Sequence, residues 1–469
     1  MYSKYLNNII VSGLPGIVSI LLSFFSIPLY LNLVSADIYA NFLIQHFILS
    51  MGMFLNLNLG KFASIKIQRI NEKIKKQIIF TTISFSFILG VILSGLIYFL
   101  IFFISQKTNF INFSSSLFFG LLITTLFINV EFINKGLGYF KISSFLNFIF
   151  YGVSLSAPAF FLIVENNEIF VEKMFQISLY IKYFAFLFLF LILIIKKKFI
   201  LTKINFKLIQ GFKNHSKWMT ITGIYNQIYD YIDKHLIKIN LSSLMLITYS
   251  VPQQLAGKLT IFSQSIIAVL LPRLSREKNE VGKKNILSSN LYFFLIIMSF
   301  ILLTTLPFYD EILIWWLKNS YSGDLLKLFK MFIPLTFLAC ISSIIISFYE
   351  ATFHAKKNTR YETLSIIPFI LGLIICVYFK NIFLFAVLLF LKEFILIFVR
   401  IMSVKNYIIN FKYFNFLIVI FILIFTFSFF EYEILSIIFS LIFFTILSIN
   451  VPYDLIAKEF FKNKKLKYR

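Results

Sequence analysis

The chain has 469 residues, 59% of them hydrophobic and only 14% charged, with a mean hydropathy of +0.88. Soluble domains carry about 25% charged residues, so the composition excludes a water-soluble globular protein and points to lipid. The formal net charge of +24 is held in short basic blocks between apolar runs. That is the pattern of membrane topology signals rather than of a nucleic-acid-binding face, and no nucleic acid is expected as a partner.

A helix needs ~20 apolar residues to cross the ~30 Å hydrocarbon layer. Runs that meet this lie at 9–31, 38–60, 78–104, 112–134, 144–164, 171–195 and 216–239, then at 246–271, 287–317, 327–352, 361–380, 382–403, 411–430 and 432–454. The sequence therefore predicts an all-α integral membrane protein of about fourteen helices. The first run is too long for a signal-peptide core and no small-residue cleavage site follows it, so it is expected to stay as a helix. The weakest separations are Lys380-Asn381 and Glu431-Tyr432-Glu433.

The connections test this count. With the N-terminus in the cytoplasm and the sides alternating, the inside connections collect Lys61, Lys66, Arg69 and Lys73, then Lys135 and Lys141, then Lys196 to Lys217. They go on to collect Arg273 to Lys284, Lys356 to Arg360, Arg400, Lys405 and Lys412, and the tail Lys458 to Arg469. The outside connections hold only Lys107, Lys173, Lys318, Lys327 and Lys380 among bases, with Asp37, Glu165, Glu168, Glu431 and Glu433. Such a bias predicts cytoplasmic termini in a multi-pass protein. The basic tail is expected to meet anionic membrane lipids.

The longest inside linker divides the chain. The pattern predicts an N-terminal six-helix lobe at 1–195, a cytoplasmic linker at 196–215, a second six-helix lobe at 216–403, and two extra helices with a basic tail at 404–469. Weak internal echoes agree. Glu131, Lys135 and Lys141 close the fourth run as Glu350, His354 and Arg360 close the tenth. Asn32 to Ser35 follows the first run as Asn240 to Ser243 follows the seventh. Transporters are often built from such repeats.

Ionisable residues at bilayer depth are costly and usually face a cavity or a partner. Lys182, Lys258 and Lys392 fall near the middle of the sixth, eighth and twelfth runs, where they are candidates to line a cavity and attract an anionic head group, since an ammonium binds phosphate oxygens strongly. The competing role is a structural, ion-paired lysine. Glu393 adjoins Lys392, but neighbours on a helix point different ways, so it is not expected to be its partner. The seventh run is the most polar. Asn226, Asp230, Asp233 and Lys234 recur at helical spacing on one face, with Asp230 and Lys234 as an i,i+4 pair. This stripe is a candidate gating or coupling element, or else a packed intrahelical pair. His46 reads as a hydrogen-bonded packing residue, Glu131 and Glu350 as locally paired, and Cys340 and Cys376 as buried thiols. No metal-ligand spacing, P-loop or cofactor motif is present.

The residues 229–234 (Tyr-Asp-Tyr-Ile-Asp-Lys), 249–255 (Tyr-Ser-Val-Pro-Gln-Gln-Leu) and 269–275 (Val-Leu-Leu-Pro-Arg-Leu-Ser), with Pro28-Leu29-Tyr30 and Asp37-Ile38-Tyr39 near the start, carry a resemblance. They resemble the Wzx-type polysaccharide, or O-antigen, flippases of the superfamily that includes the multidrug and toxic-compound extrusion transporters. The resemblance implies two pseudo-symmetric helical lobes around a central cavity that opens alternately to each side. It also implies a polyprenyl-diphosphate-linked glycan as substrate, partners in polysaccharide assembly, and a bacterial cytoplasmic (inner) membrane as location. Departures separate the alternatives. Cation-coupled drug exporters of the superfamily commonly carry an acid in the first helix, and this first run has none. Lipid II flippases carry arginines near the first two helices for the diphosphate, and this first run has none of those either. A membrane enzyme is disfavoured, because there is no large outside loop and there are only four histidines and six arginines.

Overall fold

The computed structural model describes residues 3–55, 57–67, 70–108, 116–164, 171–305, 309–317, 322–352 and 354–410. The expected helices at 411–430 and 432–454 and the basic tail lie outside the described residues. Every regular element among the described residues is helical.

The elements follow the apolar runs, with α1 at Ser3–Leu33, then α2 (Ala36–Ser50), α3 (Gly52–Leu55) and α4 (Leu59–Ile67), then α5 (Glu72–Thr108) and α6 (Ser116–Gly136). Next come α7 (Phe140–Asn147), a π-helical turn (Phe148–Val153), α8 (Ser154–Val164), α9 (Val171–Ile195) and α10 (Phe206–Asn240). The remainder are α11 (Ser243–Gly257), α12 (Thr260–Arg276), α13 (Glu280–Thr305), α14 (Tyr309–Leu317), α15 (Gly323–Ala351), α16 (Ala355–Phe379) and α17 (Ile382–Ser403). Among the described residues eight helical stretches are long and apolar enough to cross a membrane: Gly13–Leu33, Glu72–Phe103, Ser116–Gly136, Phe140–Ile163, Val171–Ile195, Gly323–Ala351, Ala355–Phe379 and Ile382–Ser403. The pair α11 and α12, bent by 43°, passes the same test jointly. The chain is thus a helical, multi-pass membrane protein.

Helix boundaries follow local chemistry. Ser35 accepts from the Ile38 amide at 3.4 Å to start α2, and Ser242 accepts from the Met245 amide at 3.1 Å to start α11. The echoed motifs after the first and seventh runs therefore do the same capping job. Lys380 takes a left-handed backbone (φ 50°) and Asn381 accepts from the Phe383 amide at 2.9 Å, which closes α16 and opens α17 within two residues. The run at 38–60 reads as one helix in sequence and is three in the structure. Leu57 and Asn58 both sit at positive φ, a conformation that no helix continues through.

Residue contacts group the chain into two compact units, Leu14–Ile247 with Phe353–Thr363, and Met1–Gly13 with Thr248–Thr352 and Leu364–Arg469. In the first, α6 is central and packs on α2 to α5, α7 and α9. The crossing of α4 and α6 is close: a Cβ on Gly60 would stand 2.5 Å from the Asn129 Cα, and one on Gly136 would stand 2.8 Å from the Ser64 Cα. Small residues let membrane helices approach this way. Gly60 also donates its amide to Asn129 Oδ1 at 2.6 Å. Around α6 the core is aliphatic and aromatic, with Ile123, Phe127, Ile133, Phe150 and Leu189 buried. In the second unit α15 is central, between α12, α13 and α17. The stretch after α17 is tied to α13: Ser288 Oγ donates to the Tyr407 carbonyl at 2.9 Å and Tyr292 Oη to the Ile409 carbonyl at 2.9 Å.

Candidate functional site: buried charges in the two units

An ammonium or carboxylate inside a lipid-embedded bundle costs at least ~2.5–3.5 kcal/mol on insertion scales. The places where this chain nevertheless holds one are where chemistry is to be sought.

In the first unit, Lys182 lies on the buried side of α9 and is 4% exposed. Its Nζ donates to the Phe150 carbonyl at 3.0 Å and sits 4.2 Å from the Phe150 ring centroid and 5.2 Å from that of Tyr151. Phe150 belongs to the π-helical turn, whose wider hydrogen-bond spacing loosens the carbonyls from the regular ladder. The same carbonyl accepts from Ser154 Oγ at 2.5 Å. One turn before Lys182, Ser178 meets His46 of α2, with Oγ to Nε2 at 2.9 Å, while His46 Nδ1 reaches the Phe42 carbonyl at 3.3 Å. His46 is thus hydrogen-bonded at both nitrogens and lies against the Phe42 ring at 4.4 Å.

The polar stripe of α10 belongs to the same unit and divides. Asp233 and Lys234 are buried, whereas Asn226 and Asp230 are exposed, so the four do not share one environment as their spacing suggests. Asp233 Oδ1 accepts the Lys234 amide at 2.7 Å and lies 3.6 Å from Lys234 Nζ. The Lys234 ammonium also donates to the Asp230 main-chain oxygen and stands 4.9 Å from the Phe47 ring centroid. One turn on, Lys238 donates to Asn41 Oδ1 of α2. Glu131 of α6 pairs locally, 2.5 Å from Lys135 Nζ, and accepts from Asn147 at 2.7 Å.

In the second unit, Lys258 occupies the two-residue turn between α11 and α12, the point of the 43° bend. The adjacent Leu259 carbonyl is 3.9 Å from Cys340 Sγ of α15. Cys340 lies on α15, which packs against α17. Glu393 is buried and holds two cations: Lys392 Nζ at 3.0 Å from one carboxylate oxygen and Arg400 Nη1 at 3.6 Å from the other. Arg400, 1% exposed, also donates to Ser342 Oγ of α15 at 3.0 Å. Two expectations are corrected here. Lys392 and Glu393 do pair, because both side chains are long enough to curl toward each other across the angle between neighbouring positions. Arg400 is not a cytoplasmic-loop base. It is a buried member of this network, and its spacing of seven from Glu393, two helical turns on one face, is the signal that marks it.

The α15 cluster therefore gathers Lys392 and Arg400 about the carboxylate of Glu393, and Lys258 stands at the α11–α12 bend, whose Leu259 carbonyl approaches Cys340 of α15. Its chemistry is that of an anion site: an excess of cationic donors in a low-dielectric surround, with an arginine fork suited to phosphate oxygens. Among the described residues, no group of His, Cys, Asp and Glu is arranged to hold a metal ion.

No family model matches the chain, and no curated protein matches it in sequence. Solved structures do match in shape. A multidrug resistance MATE family transporter of the MOP superfamily, in its outward-facing conformation, superposes with a TM-score of 0.64 at 11% identity, over 85% of this chain and 96% of its own. The fold is that of the MOP-superfamily transporters. The lipid II flippase MurJ, in its inward closed conformation, matches with a TM-score of 0.58 at 18% identity, over 95% of this chain and 100% of its own. A MOP-superfamily transporter from Pyrococcus furiosus, described by the reverse polarity of its binding pocket, matches with a TM-score of 0.60 at 11% identity, over 87% of this chain and 96% of its own. These neighbours are transporters and not enzymes. Within its MOP fold, this chain has no carboxylate in α1, and its buried cations outnumber the acid at the α15 cluster.

Proposed function

We propose that the chain is a flippase that moves a polyprenyl-diphosphate-linked oligosaccharide, a surface polysaccharide repeat unit, from the cytoplasmic to the outer leaflet of a bacterial inner membrane by alternating access. The observation that carries this reading is the cation excess of the α15 cluster. Two cations on one buried carboxylate, with Lys258 at the neighbouring bend, suit a head group that brings its own negative charge. A diphosphate supplies it, and its oxygens accept charge-assisted hydrogen bonds from Lys258, Lys392 and Arg400. The lipid tail stays in the bilayer while the head group crosses. Asn226 and Asp230 on the exposed side of α10, with Asp233 and Lys234 buried beside them, form the gating element. Lys182, turned to a carbonyl and two aromatic rings, stands outside the head-group site.

Two further points support a lipid-linked substrate over a drug cation. An exporter of cationic drugs needs acids where this chain has bases, and α1 holds none. The lipid II flippase matches 95% of this chain, against 85% for the MATE transporter, so the flippase accounts for more of its length. Both termini stay in the cytoplasm in this reading.

Deletion in the native bacterium tests the reading. The expected result is loss of surface glycan with the lipid-linked precursor retained on the cytoplasmic face. Unchanged glycan with new sensitivity to cationic drugs would instead identify an exporter.

A further inference from the structure

Lys182 is the buried cation that the head-group site leaves unused. Its partners among the described residues are a carbonyl and two aromatic faces, and none is a carboxylate. An ammonium so placed is poorly compensated, and a neutral amine could keep the same carbonyl contact, so the geometry accepts either protonation state.

The surroundings sharpen the point. The Phe42 carbonyl can only accept, so His46 carries a proton on Nδ1, while at Nε2 the Ser178 hydroxyl is able to donate or to accept. Of the groups facing α9 from α6, Glu131 is committed to Lys135 and Asn147. From α2, Tyr39 is stacked on Tyr30 and Asp37 is exposed, and from α7 Lys141 is exposed. The π-helical turn contributes Tyr151, whose ring is already on Lys182, and α8 has no titratable residue. On α9 itself, Glu172 and Lys173 are exposed in the first turn, Tyr180 is exposed, and Tyr183 is half-buried.

We propose that Lys182 is the proton-binding site of the transport cycle. In the arrangement seen here the ammonium is held by the Phe150 carbonyl and the Phe150 and Tyr151 rings. The step is loss of one proton from Nζ to water on the membrane face to which the unit is open, leaving a neutral amine, and its recapture from the other face. Loss of the charge removes the cation–π contact and weakens the hold on the π-helical turn, which gives the proton a mechanical handle on the α7–α8 segment. The proposal rests on the flippase reading only for what the proton drives, since proton binding itself needs no substrate.

The test uses the full-length chain in proteoliposomes on a solid-supported membrane, with pH jumps and no lipid-linked substrate. Wild type is expected to give a transient binding current. Lys182→Met is expected to lose it, and His46→Gln, which removes the titratable ring but keeps a polar side chain, is expected to retain it. Lys182→Arg, which keeps the charge but does not release its proton, is expected to lose it. Monodisperse elution of each variant establishes that it is folded, and Lys182→Arg keeps the test decisive should Lys182→Met not fold. A full transient in folded Lys182→Met or Lys182→Arg overturns the proposal, as does its loss in His46→Gln, which would move the proton to the imidazole. A wild-type transient in a protein that moves no lipid-linked glycan would retain the proton site and remove the flippase reading.

Discussion

Glu393 is shared: Lys392 Nζ lies 3.0 Å from one of its carboxylate oxygens and Arg400 Nη1 lies 3.6 Å from the other. Arg400 is the more deeply enclosed of the two cations, with its side chain 1% exposed against 13% for Lys392. Breaking a buried ion pair from one side leaves the other charge uncompensated, at a cost of about 3–5 kcal/mol. Arg400→Met is therefore expected to lower stability by that order, and Lys392→Met by clearly less. Thermal unfolding of the purified protein in detergent checks the ranking, and equal shifts would contradict it.

The α4–α6 crossing has no room for a methyl group. A Cβ on Gly60 meets the Asn129 main chain and its Oδ1 at 2.5 to 2.8 Å, and neither backbone can yield without moving its helix. Gly60→Ala is expected to destabilise the protein by at least the ~1–3 kcal/mol typical of overpacking. Gly138, although at φ 90°, has nothing within 4 Å of where a Cβ would stand, so Gly138→Ala meets backbone strain alone. Folded yield after membrane extraction should fall more for Gly60→Ala.

Asp233 and Lys234 bury opposite charges 3.6 Å apart on α10. Asp233→Asn and Lys234→Met are each expected to destabilise, and the double variant by less than their sum. The interaction energy should fall within the ~0.5–3 kcal/mol seen for residues in one network. A strictly additive double-mutant cycle would show that the pair does not act as a unit.

Lys258 separates charge from packing. If its ammonium contacts the head group, Lys258→Arg should support transport and Lys258→Ala should reduce it about ten- to hundred-fold, the size of a lost hydrogen bond to a charged group. Surface glycan in a complemented deletion strain reports this, with protein level in the membrane as control. Equal activity in the two variants would place Lys258 outside the site.

The helices are legible in the sequence because lipid leaves little choice of structure, so apolar runs such as 171–195 and 382–403 mark their own ends. Charges inside such runs are equally visible, which is how Lys182, Lys258 and Lys392 stand out before any coordinates. Other features escape for identifiable reasons. Arg400 sits at the end of an apolar run, where a base ordinarily snorkels to the interface, and its spacing from Glu393 on the same helix hints at the pairing while its tertiary contact with Ser342 of α15, which spacing does not show, helps draw it inward. The break of the run 38–60 depends on left-handed conformations at Leu57 and Asn58, and a leucine gives no hint of one. The π-helical turn at Phe148–Val153 leaves no mark in hydropathy, yet it supplies the carbonyl that holds Lys182. The division of the α10 stripe into buried Asp233 and Lys234 and exposed Asn226 and Asp230 depends on which helices pack there, and spacing alone cannot say.

The central claim is that this chain moves a lipid-linked head group across the bilayer. The most direct measurement is leaflet exchange of a fluorescent polyprenyl-diphosphate oligosaccharide in proteoliposomes containing the purified protein, read by the fraction accessible to a membrane-impermeant quencher. Rapid exchange is expected with wild type, and slow exchange with Arg400→Met or with empty vesicles. Wild-type exchange no faster than empty vesicles, in protein that is folded and inserted, would contradict the claim.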